Sequence, residues 1–397
     1  MKRWVLAVSV VLVVAACTGS EAVESTTKVV TAPAATLPAS PTTTTTVAPT
    51  STTAASSTDP GLAIGQASYV LRAVGDVQSV APNGSVMVVA DGEQVCVQRL
   101  DVLDVECLPS PPEFRSRPRL TGGWASDGSS FVFHDRSATA TTFRSTVWTL
   151  DTVETTLEAL LDDPDIIVFD VAVAPEGDTV AVRGHMADRG SGVFTMSNGN
   201  DPEPLADVPL GDNLLWLPDG TALLYDTHGE EAGVWRIDAN DGAVDMLAPT
   251  GGRSWVVAVS NDGSWALLYD TELAGDRSVN QSHFEIMRLD TGEVSPLKVE
   301  TDGSFLGPVF AVFSPDGTQV AYLYHDGDND DAPLVLAIRP SGGGEVQIIS
   351  RDLFQVVGTP PTPHLLLQSE IGLGAMWTVD DRLVFPTAGW SLVIDLE

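Results

Sequence analysis

The chain of 397 residues carries 54 acidic against 20 basic side chains, a formal net charge of −34. Nucleic-acid binding requires the opposite sign and is excluded. An anionic lipid surface would repel such a chain, so its acidity is read as serving solubility, with steering of a partner as an extra role.

The N-terminus reads as an export signal. Lys2 and Arg3 supply its positive start, and the apolar run from Trp4 to Ala16 is too short to span a bilayer comfortably. The run ends in Val14-Ala15-Ala16-Cys17, which resembles the lipobox of bacterial lipoproteins. That resemblance implies a signal peptide over residues 1–16, cut before Cys17, and a lipid on that cysteine that anchors the chain to the cell membrane. An ordinary secreted protein with a cysteine at its cleavage site is the alternative. Both readings make the chain extracytoplasmic.

Residues 17–62 are dominated by Thr, Ala, Ser, Pro and Val, with an unbroken threonine run from Thr42 to Thr46 and no aromatic residue. Such a segment buries too little apolar surface to offset its ordering entropy and reads as a disordered tether. As a flexible coil it would span on the order of 40 Å.

The remaining stretch, residues 63–397, is long for one ordinary domain but normal for a closed all-β architecture. Its cysteines, Cys96 and Cys107, lie in VCVQRLDVLDVECL, a hairpin centred near Asp101 and Val102. A symmetric register would set them opposite each other, and an exported compartment permits oxidation, so a structural disulfide is expected. The spacing is not that of a Cys-x-x-Cys redox pair.

A turn motif organises this stretch. It recurs as Ala81-Pro82-Asn83-Gly84, Ala125-Ser126-Asp127-Gly128, Ala174-Pro175-Glu176-Gly177, Leu217-Pro218-Asp219-Gly220, Ser260-Asn261-Asp262-Gly263 and Ser314-Pro315-Asp316-Gly317, with a degenerate Thr378-Val379-Asp380-Asp381. The glycines are 44, 49, 43, 43 and 54 residues apart, the period of propeller blades. Each copy shows four alternating apolar runs. The first precedes the turn and the second follows it. The fourth comes after a polar turn such as Asp290-Thr291-Gly292-Glu293. Recurring aromatics, among them Trp124, Trp148, Trp216, Trp235 and Trp377, are read as packing between blades. The last copy supplies three strands only, and Ala67–Val74 is an apolar run placed to complete it and close the ring. An all-β fold follows, a seven-bladed propeller of four-stranded blades, with six or eight blades as alternatives.

From Ala67 to Glu397 the turn motifs and the LDTGEVSPL-type endings resemble the TolB-type, WD-like propeller repeat. The resemblance implies this fold. TolB itself has an α/β domain ahead of its propeller, where this chain has a tether, so its partners do not carry over. Some actinobacterial-type lipoproteins likewise join a propeller to a lipid anchor beside membrane machinery.

Function is expected on one face. Turns between first and second strands, and between third and fourth, are short. The long connections, His134–Arg144, Arg183–Ser191, Asp270–His283 and Arg351–Gly374, all fall on the other face, where a rigid scaffold presents binding loops. His134, His185, His228 and His325 follow the second strands beside acidic residues. With Asp270, Glu272, His283 and His364 they form the candidate binding set. Zinc is considered there, but there is no tight His-x-x-x-His pair, and solvated polar loops are the simpler reading. Asp326, Asp328 and Asp330 could offer oxygen ligands to calcium, although Asp331 and Ala337 stand where an EF-hand needs Gly and Glu. No nucleophile elbow, His-Glu-x-x-His or phosphate loop occurs, and Gly342-Gly343-Gly344 reads as a turn. The expected function is a monomeric scaffold that binds an envelope protein, without a resident cofactor. A propeller enzyme or ligand-binding protein acting on envelope polysaccharide or peptide is the alternative.

Overall fold

The computed structural model describes residues 63–65, 68–91, 94–102, 104–110, 121–138, 143–163, 165–197, 200–208, 211–250, 254–272, 281–297, 306–327, 333–353, 355 and 376–397. The signal, Cys17 and the tether lie outside this set.

The repeat forms because each turn is closed by a backbone bond from its fourth residue to its first, to which side chains add in most copies. At Ser314–Gly317 the Gly317 N–H donates to the Ser314 carbonyl at 2.9 Å, with φ of 73° at the glycine. Asp316 Oδ1 accepts from the Ser314 hydroxyl at 2.6 Å and the Thr318 N–H at 3.0 Å. These bonds hold its carboxyl below the usual carboxylate range, the serine hydroxyl contributing most. Asp127, Asp219 and Asp262 each accept the N–H two residues on in the same way.

Around these turns the chain winds seven four-stranded antiparallel blades into a β-propeller. Blade 1 holds β1 (Tyr69–Val80), β2 (Val86–Asp91), β3 (Gln94–Arg99) and β4 (Val105–Pro109). Blade 2 holds β5 (Thr121–Trp124), β6 (Ser130–Ala138), β7 (Phe143–Asp151) and β8 (Thr156–Asp162). In blade 3 the strands are β9 (Ile166–Val173), β10 (Thr179–Met186), β11 (Gly190–Ser197) and β12 (Glu203–Ala206). Blade 4 is β13 (Gly211–Trp216), β14 (Ala222–Thr227), β15 (Gly233–Asp238) and β16 (Val244–Pro249). Blade 5 is β17 (Ser254–Val259), β18 (Trp265–Glu272), β19 (Gln281–Arg288) and β20 (Val294–Pro296). Blade 6 is β21 (Leu306–Phe313), β22 (Gln319–His325), β23 (Leu334–Pro340) and β24 (Gln347–Ser350). Blade 7 is β25 (Met376–Trp377) and β26 (Arg382–Asp395), which turns back on itself.

The N-terminal strand closes the ring as expected. Tyr69 to Arg72 pair with Val393 to Trp390 of the last blade, and Asp76 to Val80 then pair with Ala90 to Met87 of the first. The pairing reaches further back, since Ile64 bridges Leu396 and the Ala63 N–H donates to the Glu397 carbonyl at 3.0 Å. Leu396 N–H donates in turn to Asp381, in the tight turn of blade 7. Residue 63 therefore joins the propeller on the face that carries the short turns, here called the turn face. The opposite face carries the connections between second and third strands and is called the hairpin face.

The core is distributed between blades. Seven apolar clusters each span two neighbouring blades; one joins Val132 and Val147 to Val168 and Val182, another joins Val384 and Val393 to Met87 and Val89. Two tryptophans act as expected, with Trp124 Nε1 donating to Ser79 Oγ at 2.8 Å and Trp216 Nε1 to the Ala172 carbonyl at 3.1 Å, each in the preceding blade. Cys96 faces Cys107 across β3 and β4 and is bonded to it, with Cα atoms 4.0 Å apart.

The hairpin face differs from its sequence reading in one respect. Arg183–Ser191 is not a long loop, because β10 runs on to Met186 and β11 begins at Gly190, paired rung by rung. Strand pairing also covers much of His134–Arg144 and Asp270–His283, as far as Ala138 opposite Phe143 and Glu272 opposite Gln281. Backbone groups that would otherwise need solvent partners are satisfied by lengthening the ladder. Most of Arg351–Gly374 lies outside the described residues.

Candidate functional site

Counting from the turn glycine aligns the second strands. The sixth residue after it is Ala90, His134, Arg183, Asp226, Tyr269 and Leu323 in blades 1 to 6. In blades 2, 3 and 4 this otherwise apolar rank carries His134, Arg183 and Asp226, which are 6%, 6% and 0% exposed. Three successive blades thus place buried polar side chains at one level of the fold. The first strands of neighbouring blades meet around the axis and supply their partners.

Asp170 of β9 stands opposite Arg183 in the register. Its Oδ2 accepts the Leu214 N–H of blade 4 at 2.6 Å. Burial pushes the Asp170 carboxyl up to about 7, against the opposing pull of the Arg183 guanidinium and the Leu214 N–H. Arg183 also lies over the Phe169 ring, 5.3 Å from its centre.

Asp226 repeats the device one blade on. Its Oδ2 accepts the Val256 N–H of blade 5 at 2.8 Å and Asn213 Nδ2 at 3.2 Å, while Oδ1 accepts the Asn213 N–H at 3.3 Å. Two residues further, His228 caps the end of β14 and is 27% exposed at its side chain. Trp255 Nε1 donates to His228 Nε2 at 3.1 Å, and that nitrogen lies 3.9 Å from Asp226 Oδ1. An indole N–H can only donate, so the accepting Nε2 is bare and the neutral ring carries its proton on Nδ1. The adjoining turn is fixed by Thr227, whose hydroxyl donates to the Glu231 carbonyl and accepts Trp235 Nε1 at 2.9 Å. The result is a polar seam leading from buried carboxylates to a half-exposed His228–Trp255 pair on the hairpin face. It offers the exposed part of an aromatic pair to a ligand over a rigid polar support.

The histidines singled out in the sequence fall in four different blades. His134 and His325 lie within β6 and β22 and are buried, 6% and 2% exposed, so they are strand residues and not solvated loop residues. His185 ends β10 with Nδ1 3.0 Å from Ser191 Oγ. Of the four, only His228 lies beside the Asp226 seam at its exposed end. Asp270 stands opposite His283 and Glu272 opposite Gln281 in the β18–β19 ladder, and nothing further is described of those three candidate side chains. His364 lies outside the described residues. So do Asp328 and Asp330; Asp326 is exposed just beyond β22. Among the described residues no group of three or more His, Cys, Asp or Glu side chains could hold a metal ion.

Sequence reasoning passed over Asp170, Asp226, Asn213 and Trp255. The available signal was a charged residue at a rank that other blades fill with apolar ones.

No protein-family model matches the chain, and no curated protein matches it in sequence. Solved structures do match. An oligogalacturonate lyase in complex with manganese is 10% identical, covering 83% of this chain and 91% of its own, with a TM-score of 0.53. The Swd1 β-propeller domain of Myceliophteria thermophila is 13% identical over 82% of this chain and 98% of its own, with a TM-score of 0.51. TolB from Acinetobacter baumannii is 20% identical over 70% of this chain, with a TM-score of 0.44, and this chain spans 64% of that protein's length. At 10% and 13% identity the first two likenesses speak to the fold alone, a fold that the chain's own strands define as a seven-bladed β-propeller.

Proposed function

We propose that this chain is a lipid-anchored, extracytoplasmic propeller that binds a protein partner of the cell envelope through its hairpin face. The observation that carries this reading is the asymmetry of the two faces. Turn-face connections are short and locked by their own Asp, Ser and Thr side chains, whereas the β6–β7, β10–β11 and β18–β19 hairpins extend from the other face. Residue 63 joins the ring on the turn face, opposite these hairpins. The Cys96–Cys107 bond suits an oxidising compartment.

Affinity capture from gently solubilised membranes tests the reading. The full chain is compared with a variant in which residues 273–280 are replaced by Asn-Gly and with H228A. A partner held by the full chain and lost from the shortened hairpin is expected. Equal retention by all three would remove the hairpin face from consideration.

The alternative reading, a propeller enzyme or ligand-binding protein acting on envelope polysaccharide or peptide, draws on Asp170. A buried carboxyl with its pKa raised to about 7 beside an arginine is a feature of acid–base sites. Turnover of acidic polysaccharides or peptides by the wild type and not by D170N would favour it.

A further inference from the structure

Arg339, the penultimate residue of β23, lies towards the turn face and is 9% exposed. Its Nη1 donates to the Pro296 carbonyl of blade 5 at 3.3 Å, and its Nε has no hydrogen-bond partner among the described residues. Among the described residues no carboxylate forms an ion pair with it. Buried guanidinium groups are otherwise paired, because taking the charge out of water is costly. Here the described part of a chain with 54 acidic residues leaves one without an anion.

A second buried group lies beside it. The register sets Val320 opposite Arg339 and Tyr322 opposite Ala337, which puts the phenol and the guanidinium on one face of the sheet as diagonal neighbours. Tyr322 is fully buried, and its hydroxyl also has no hydrogen-bond partner. The adjoining turn is Gly342-Gly343-Gly344, with φ of 89° and 135° at the second and third glycines. A Cβ at Gly343 would stand 3.9 Å from Arg339 Nη2, and one at Gly342 would stand 3.6 Å from the Trp265 ring. The missing side chain at Gly343 therefore leaves room beside the guanidinium.

We propose that the seam between blades 5 and 6 on the turn face binds a small oxyanion, a carboxylate or phosphate group, held by the Nε and Nη2 of Arg339 with the Tyr322 hydroxyl as a further donor. Guanidinium is suited to this because its two parallel N–H groups match two oxygens of either anion. The site lies on the face opposite the proposed partner surface and stands independently of it.

Thermal unfolding of the full chain in low-chloride buffer, titrated with sodium phosphate and separately with sodium acetate, tests the proposal. The wild type should show a saturable rise in Tm of about 1–3 °C. R339M should keep only the shallow, unsaturable rise that salts give generally, and Y322F should need several-fold more anion. R339M should fold without the anion, since it removes an unpaired buried charge; should it not fold, R339Q and calorimetric titration of the wild type take its place. Saturation at lower phosphate concentration assigns a phosphoryl source, and saturation at lower acetate concentration a carboxylate. Identical responses in wild type and R339M, or no heat of binding in the wild type, would overturn the site.

Discussion

The Val256 N–H of blade 5 donates to Asp226 Oδ2 of blade 4 at 2.8 Å, and the accepting carboxylate is fully buried. One side chain thus satisfies a backbone donor of the neighbouring blade at a seam otherwise held by apolar packing. Replacing it with alanine strands the Val256 N–H and both Asn213 donors. D226A should lose about 2–4 kcal/mol in denaturant unfolding. D226N keeps an acceptor and should lose about half as much. Equal stability of D226A and wild type would mean that water or a shifted strand replaces the carboxylate.

The Asp170 carboxyl gives a pH signature. With its folded pKa raised to about 7 from 3.8, the folded state binds a proton that the unfolded state has already released across that window. Its contribution to stability is therefore fully present below about pH 4 and is lost as pH rises through 7. At 1.36 kcal/mol per pH unit the loss amounts to about 4 kcal/mol. D170N should remove this slope, so the difference in stability between wild type and variant should change between pH 4 and 7 and stay level above about 8. A difference independent of pH would place the ordinary carboxylate pKa at this position.

The disulfide closes a loop with a sequence separation of 11. A loop of that length restricts the unfolded chain by about 3 kcal/mol. C96A/C107S should unfold at lower guanidinium concentration by that margin, and reduction of the wild type should reproduce the change. Cys96 also packs in the cluster joining blades 7 and 1, so a larger loss in the variant than on reduction would measure that packing.

Ring closure depends on the strand at the start of the propeller. Deleting residues 63–72 removes the outer partner of Trp390–Val393 and leaves an open sheet edge in blade 7. Size-exclusion chromatography with light scattering should show self-association of the deletion variant and a monomer for the wild type. A monodisperse variant with unchanged stability would show that the other six seams suffice.

The architecture was legible because its determinants are local. A glycine free to take positive φ, an acidic residue two positions before the N–H it caps, and alternating apolar residues on both sides recur every 43 to 54 residues. The closing strand and the Cys96–Cys107 pairing followed from the same local patterns. The lengths of the hairpins did not, because a polar run such as Arg183–Ser191 reads equally as loop or strand until a partner strand is present.

By itself the sequence determined an acidic, all-β chain of seven repeats, since turn chemistry and strand alternation are written within each repeat. Only the tertiary structure decided which polar residues share a seam. Asp170 meets Leu214 across 44 residues, Asp226 meets Val256 across 30 and His228 meets Trp255 across 27. Those meetings are set by how one blade packs on the next, and no periodicity within a blade encodes them.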